Sequence, residues 1–207
     1  MMLSKRFLGR PGPIMILTLT SVVMVATFSA FAAGGADLVL NSEGKVEFEA
    51  VGNPSALKIH GKGGAPVGNF KLVADQLTGE ATFHLDSLET GMKMRDEHMK
   101  KKYLQVEQFP DSRLTLTHLT VPKNCTETAT ATCTTPFQGQ LTLHGVTQPV
   151  NGSLVLTRAA DTLSVDAHFP VKLTDYKIAI PSFAGITVVE NVQIQVQSRS
   201  SYTSSKK

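Results

Sequence analysis

Three methionines and one histidine lie close together near the middle of the chain. Met92, Met94, His98 and Met99 fall within a span of eight residues. Soft thioethers combined with an imidazole are a suitable ligand set for Cu(I), so one hypothesis is a copper site. Flexible Met side chains also line adaptable hydrophobic pockets, and this is their commoner use. We therefore expect these four side chains to contact an apolar ligand rather than a metal, with copper binding as the alternative.

The remaining histidines do not form a catalytic or metal-binding pattern. Four of them occupy polar positions in alternating segments, where we expect them to be solvated: His60, His84, His144 and His168. His118 shares the parity of Leu114 and Leu116, so we expect it to face inward. The sequence has no Ser-His-acid motif, no HxxxH pair and no Gly-rich phosphate loop. We therefore predict that the protein is not an enzyme and uses no cofactor.

Arg95, Asp96 and His98 form the most distinctive polar cluster in the sequence. An arginine at the mouth of a pocket binds phosphate or carboxylate head groups well, because its guanidinium offers a planar fork of donors. Alternatively, Arg95 and Asp96 hold a helix against a neighbouring strand. The sequence leaves these two roles equally open.

The first 32 residues have the features of a signal peptide. Three basic residues (Lys5, Arg6 and Arg10) precede an apolar stretch at 14–31, and Ala30-Phe31-Ala32 supplies a cleavage-type motif. We expect cleavage before Ala33, which places the mature protein in the periplasm or outside the cell with no stable membrane span. These three basic residues account for the whole net charge of +3, so 17 basic and 17 acidic residues remain. A neutral mature chain gives no indication of nucleic-acid binding.

The rest of the chain alternates between apolar and polar residues with a period of two. The alternation predicts eight to nine antiparallel strands, each with one face in water, in a sandwich or a closed barrel. We expect one all-β domain at 45–199, a flexible segment at 33–44 and a polar tail at 200–207. The inward positions that we expect to line a cavity are Phe48, Phe83, Leu85, Leu114, Leu116, Leu141, Leu143, Val165 and Phe169.

One segment has helical rather than strand character. Residues 92–105 are rich in Met, Lys, Arg and Glu, which favour helices, and Phe109-Pro110 ends the segment. Because it is inserted between strands and carries apolar side chains, we expect it to lie over one end of a barrel as a lid.

Two cysteines lie eight positions apart in a Thr-rich stretch. In an exported protein, Cys125 and Cys133 are expected to form a disulfide that closes a small loop. The alternative is two free thiols.

Two motifs carry a family resemblance. TGMKMRDEHM at 90–99, followed by FPD at 109–111, resembles the TGxxxRDxHL…FP segment of the YceI-like family. LTLHGVTQPV at 141–150 is similar to that family's LTLHGVTxPV hairpin. The resemblance implies a lipocalin-like antiparallel β-barrel, periplasmic or secreted, that binds polyisoprenoids or other long amphiphilic lipids as a monomer or homodimer. A purely structural barrel remains a third hypothesis, beside lipid and copper binding.

Overall fold

The structure is a computed structural model that describes residues 35–54, 57–183 and 185–204. The expected signal peptide at 1–32 and the expected mature terminus at Ala33 lie outside the described residues. Within them, no helix is long and apolar enough to cross a membrane.

Eleven strands dominate the described part of the chain. They are β1 (Gly35–Asn53), β2 (Leu57–Gly63), β3 (Val67–Val73), β4 (Gln76–His84), β5 (Asp111–Thr120), β6 (Thr130–Leu143), β7 (Val146–Ala159), β8 (Thr162–Lys172), β9 (Ser182–Phe183), β10 (Ile186–Val188) and β11 (Asn191–Ser204). The helices are α1 (Lys93–His98), which continues as a π-helical turn (Met99–Tyr103), and α2 (Lys123–Glu127). Short 3₁₀ turns cover Leu85–Ser87 and Leu173–Tyr176.

Eight of the strands form a closed antiparallel barrel. Each pairs with its neighbours in the order β1, β3, β4, β5, β6, β7, β8 and β11, and β11 returns to β1. The closing contact is long, because β1 and β11 pair from Ala36 to Glu49 of β1. The alternation allowed either a sandwich or a closed barrel. The structure confirms the predicted barrel with a short helical segment at one end.

Both ends of the domain differ from the sequence-based boundaries. We expected residues 33–44 to be flexible and 200–207 to be a polar tail, but 35–44 belong to β1 and 200–204 to β11. Ala36, Leu38 and Ser200 are buried. Residues 200–204 are mostly polar and residues 35–44 show no sustained period-two alternation, so neither segment predicted a strand. Their pairing comes from backbone hydrogen bonds, which do not require apolar side chains.

The barrel wall has a seam beside β1. On one edge, β1 pairs with β3 only up to Val39 and with β2 only from Val46 onward. On the other edge, the register with β11 shifts between Leu40 and Gly44, so the residues between them bulge outward. A salt bridge of 2.8 Å between Glu43 and Arg199 ties the bulge to β11.

The two ends of the barrel differ in the segments that connect their strands. At the upper end, where β1 finishes at Asn53, the segment 92–105 connects β4 to β5. At the lower end, α2 connects β5 to β6, and the expected disulfide joins Cys125 of α2 to Cys133 of β6 with a Cα–Cα distance of 6.2 Å. Both cysteines are buried.

Removing this disulfide is expected to destabilise the domain without changing its fold. A loop of this length constrains the unfolded chain by about 2–3 kcal/mol. For a domain of this size, the melting temperature of Cys125→Ala/Cys133→Ala should therefore fall by roughly 5–10 °C, as measured by circular dichroism. Wild-type protein in reductant is the control and should melt near the double variant; a reductant-insensitive wild type would contradict the prediction.

The hairpin turn between β6 and β7 gives a second stability test. Gly145 has φ +72°, and a Cβ added there would lie 2.7 Å from Cε1 of Phe109. Gly91 has a similar φ of +79° with nothing within 4 Å of an added Cβ. Substitution by Ala should cost about 1–2 kcal/mol at either position because of the left-handed backbone. Gly145→Ala should cost more than Gly91→Ala in urea unfolding, and equal losses would show that Phe109 moves aside freely.

Candidate ligand-binding site

The barrel contains an apolar cavity of about 70 Å³. Fifteen of its seventeen lining residues are apolar: Leu38, Leu40, Pro66, Phe70, Leu77, Ala81, Leu114, Leu116, Phe137, Leu154, Leu156, Leu163, Val165, Ala167 and Val196. The other two are Ser198 and Ser200. The cavity is not fully enclosed, and Leu40 and Pro66 of its lining flank the seam beside β1. Such a space can receive hydrocarbon, and none of the lining residues that the structure describes is charged.

The nine expected cavity residues fall into three groups. Leu114, Leu116 and Val165 line the cavity itself. Leu141 and Phe169 are buried in the same hydrophobic cluster, with Leu143 packed against it. The alternation therefore identified the inward faces of β5, β6 and β8.

A second hydrophobic cluster fills the upper part of the barrel. Val46, Phe83, Leu85 and Leu88 form its buried centre, and Phe48, Met99, Leu104 and Val106 pack around it. Phe48, Phe83 and Leu85 were expected in the cavity, but they belong to this packed layer instead. Leu104, Leu143, Ile194 and Val196 contact both clusters, so they separate the cavity from the layer above it.

The side chains of the methionine cluster differ in exposure. Met92 and Met94 are 57% and 65% exposed, whereas Met99 packs into the upper cluster. His98 is exposed. Met92 and Met94 lie on the surface and do not line the cavity, and their contact with an apolar ligand stays a prediction.

Arg95 and Asp96 hold the lid segment to the residues that precede it. Nε of Arg95 donates to Thr90 Oγ1 at 2.7 Å, and Nη2 donates to the Thr90 carbonyl at 2.8 Å. Asp96 Oδ1 accepts hydrogen bonds from the Thr90 backbone N–H and hydroxyl at 2.8 and 2.5 Å. This network favours the structural role, although its anchor is Thr90 and not a neighbouring strand.

His118 faces outward, contrary to the prediction. Leu116 of β5 pairs with Gly79 of β4, while Leu119 pairs with Leu77. Three steps on β5 therefore oppose two steps on β4, and this β-bulge reverses the parity of the strand. As a result Leu119 is buried and His118 is exposed.

His144 is not simply solvated, as we expected, but joins three segments of the upper end. Nδ1 lies 3.0 Å from the Tyr176 carbonyl oxygen, and Nε2 lies 3.0 Å from Gln105 Oε1. Its ring also packs against Phe109, with 4.5 Å between centroids. Strand parity could not reveal this role, because His144 occupies a turn with φ +51°. Burial, with a smaller contribution from Asp175, raises the pKa of the neighbouring Tyr176 to about 12.

Several functional positions escaped the sequence analysis. Phe70, Leu154 and Leu156 line the cavity from strands whose alternation was too short to assign a face. Ser198 and Ser200 continue the inward parity of β11, but serine gives no hydrophobic signal. Among the described residues, no group of three or more His, Cys, Asp or Glu side chains is placed to hold a metal ion.

Comparison with known proteins identifies structures with a similar fold. No curated protein matches the sequence. The chain is similar to a polyisoprenoid binding domain from Saccharophagus degradans implicated in plant cell wall breakdown, with 14% identity, a TM-score of 0.63, and 80% of this chain and 98% of that chain covered. It is also similar to BcnA of Burkholderia cenocepacia, with 16% identity, a TM-score of 0.59, and coverage of 74% and 95%.

At these identities the structural likeness establishes a shared barrel fold. The sequence itself gives the assignment, because the family model for the YceI-like domain matches residues 38–199. The chain belongs to the YceI-like domain family.

Proposed function

We propose that this chain is an exported protein that binds a long-chain amphiphilic lipid of the polyisoprenoid class inside its barrel. The observation that carries the proposal is the interior cavity with its almost entirely apolar lining. Family membership supports it, and the similar domain from Saccharophagus degradans is described as polyisoprenoid binding.

The binding free energy would come from burying the hydrocarbon chain. Each methylene removed from water contributes about 0.8 kcal/mol, so a chain of several isoprene units gains far more than one polar contact supplies. Arg95 donates two hydrogen bonds to Thr90, so the proposal does not depend on a head-group contact from Arg95.

The cavity must enlarge to admit such a chain. Its volume of about 70 Å³ is well below the roughly 300–1,000 Å³ of ordinary ligand sites. The side chains that separate it from the upper cluster are Leu104, Leu143, Ile194 and Val196. Leu104 belongs to the lid segment, so an outward shift of this segment would join the two regions into one elongated site.

Native mass spectrometry of protein purified from its own envelope fraction tests the function and the export together. We expect a bound long-chain lipid, released by organic solvent, on a chain whose N-terminus is at or near Ala33. A chain that carries no lipid and binds no added isoprenoid would be a structural barrel. A chain that keeps residues 1–32 would refute export by cleavage.

A substitution that fills the cavity should weaken binding while leaving the fold intact. Ala167 lines the cavity, whereas Ala159 is exposed on β7. Ala167→Leu adds three carbons inside the barrel, at a stability cost of about 1–3 kcal/mol. We expect at least tenfold weaker displacement of a fluorescent apolar probe by farnesol, with Ala159→Leu unchanged. Equal affinities in two folded variants would place the ligand elsewhere.

A further inference from the structure

Two serines interrupt the apolar lining of the cavity. None of the seventeen lining residues is charged, and Ser198 and Ser200 are the polar ones. Both are buried, at 7% and 1% exposure. The inward face of β11 therefore changes from hydrocarbon at Val192, Ile194 and Val196 to two hydroxyl groups near the lower end.

The two hydroxyls are not equivalent. Ser200 Oγ donates to the carbonyl oxygen of Leu163 at 3.3 Å. Ser198 Oγ is buried and has no hydrogen-bond partner within the part of the chain that the structure describes. Folded proteins leave few buried polar atoms unpaired, because the loss of hydration is not offset. The Ser198 hydroxyl is thus free to bond a molecule that enters the cavity.

Charged side chains on the strands around Ser198 lie on the outer face of the barrel. Arg199 pairs with Glu43, and both side chains are more than half exposed. Asp166 accepts a hydrogen bond from Gln195, also on the outer parity of β11. An ionised head group next to Ser198 would lose its hydration without gaining an opposite charge, which is strongly unfavourable.

We propose that the cavity takes up the uncharged polar end of its ligand and that Ser198 Oγ hydrogen-bonds to it. The ligand class is then a neutral amphiphile, such as an isoprenoid alcohol, and its phosphate ester is excluded. The polar end lies at the level of Ser198, and the hydrocarbon chain extends past Val196 towards the lid. This inference rests on the proposed lipid-binding function.

Three C15 probes that differ only at the polar end test the proposal: farnesol, farnesyl phosphate and the hydrocarbon farnesene. Affinity is measured by displacement of a fluorescent apolar probe from the mature protein. One neutral hydrogen bond should make farnesol bind about threefold to tenfold more tightly than farnesene. Farnesyl phosphate should bind more weakly than farnesol.

Matched variants distinguish the contribution of the Ser198 hydroxyl from that of other buried hydroxyls. Ser198→Ala should abolish the preference for farnesol over farnesene while farnesene affinity stays the same. Ser200→Ala should retain the preference for farnesol over farnesene, because the wild-type Ser200 hydroxyl already donates to Leu163. Tyr176→Phe should retain it too, since Tyr176 Oη is buried and unpartnered but does not line the cavity. Thermal melts check that each variant is folded.

The outcomes distinguish a failure of the Ser198 assignment from a failure of the proposed lipid-binding function. If farnesene binds but Ser198→Ala keeps the full preference for farnesol, the Ser198 assignment is wrong and lipid binding stands. Tighter binding of farnesyl phosphate than of farnesol would likewise overturn the neutral head group. If none of the three probes binds to folded wild-type protein, the proposed function fails and the inference fails with it.

Discussion

Pairing between β1 and β11 is the constraint on which the rest of this structure depends. It joins the first and last strands of the barrel, so the sheet closes and its interior is shielded from water. An open sheet would expose two rows of unpaired backbone groups as well as its apolar face. The other edge of β1 is divided between β3 and β2, which leaves the seam beside Leu40.

The interior that closure creates is filled unevenly. The upper layer packs Phe83, Leu85 and side chains of the lid segment, and the region below it contains the cavity. A lipid chain would replace contacts between protein side chains with contacts of the same chemical kind, so binding exchanges one apolar packing for another. Under the proposed function, such an exchange would allow a barrel with a cavity of about 70 Å³ to receive a long chain.

Polar contacts, in contrast, hold the upper end. Thr90, Arg95 and Asp96 fix the start of the lid segment, and His144 links its end at Gln105 to Tyr176. Four residues of the two family motifs therefore position the lid segment: Thr90, Arg95, Asp96 and His144. Their arrangement leaves Met92 and Met94 on the surface and directs Met99 into the core.

The sequence by itself determined the all-β class, the disulfide, the lid segment and most inward faces, because each depends on short-range periodicity or spacing. The tertiary structure determined the features that depend on which strands pair and in which register. The bulge in β5 turned His118 outward, backbone pairing drew residues 35–44 and 200–204 into the barrel, and Thr90 engaged Arg95. Ser198 became a candidate ligand contact only because closure buried its hydroxyl without a hydrogen-bond partner among the described residues. Periodicity assigns a residue to a face, but register and closure determine what that face meets.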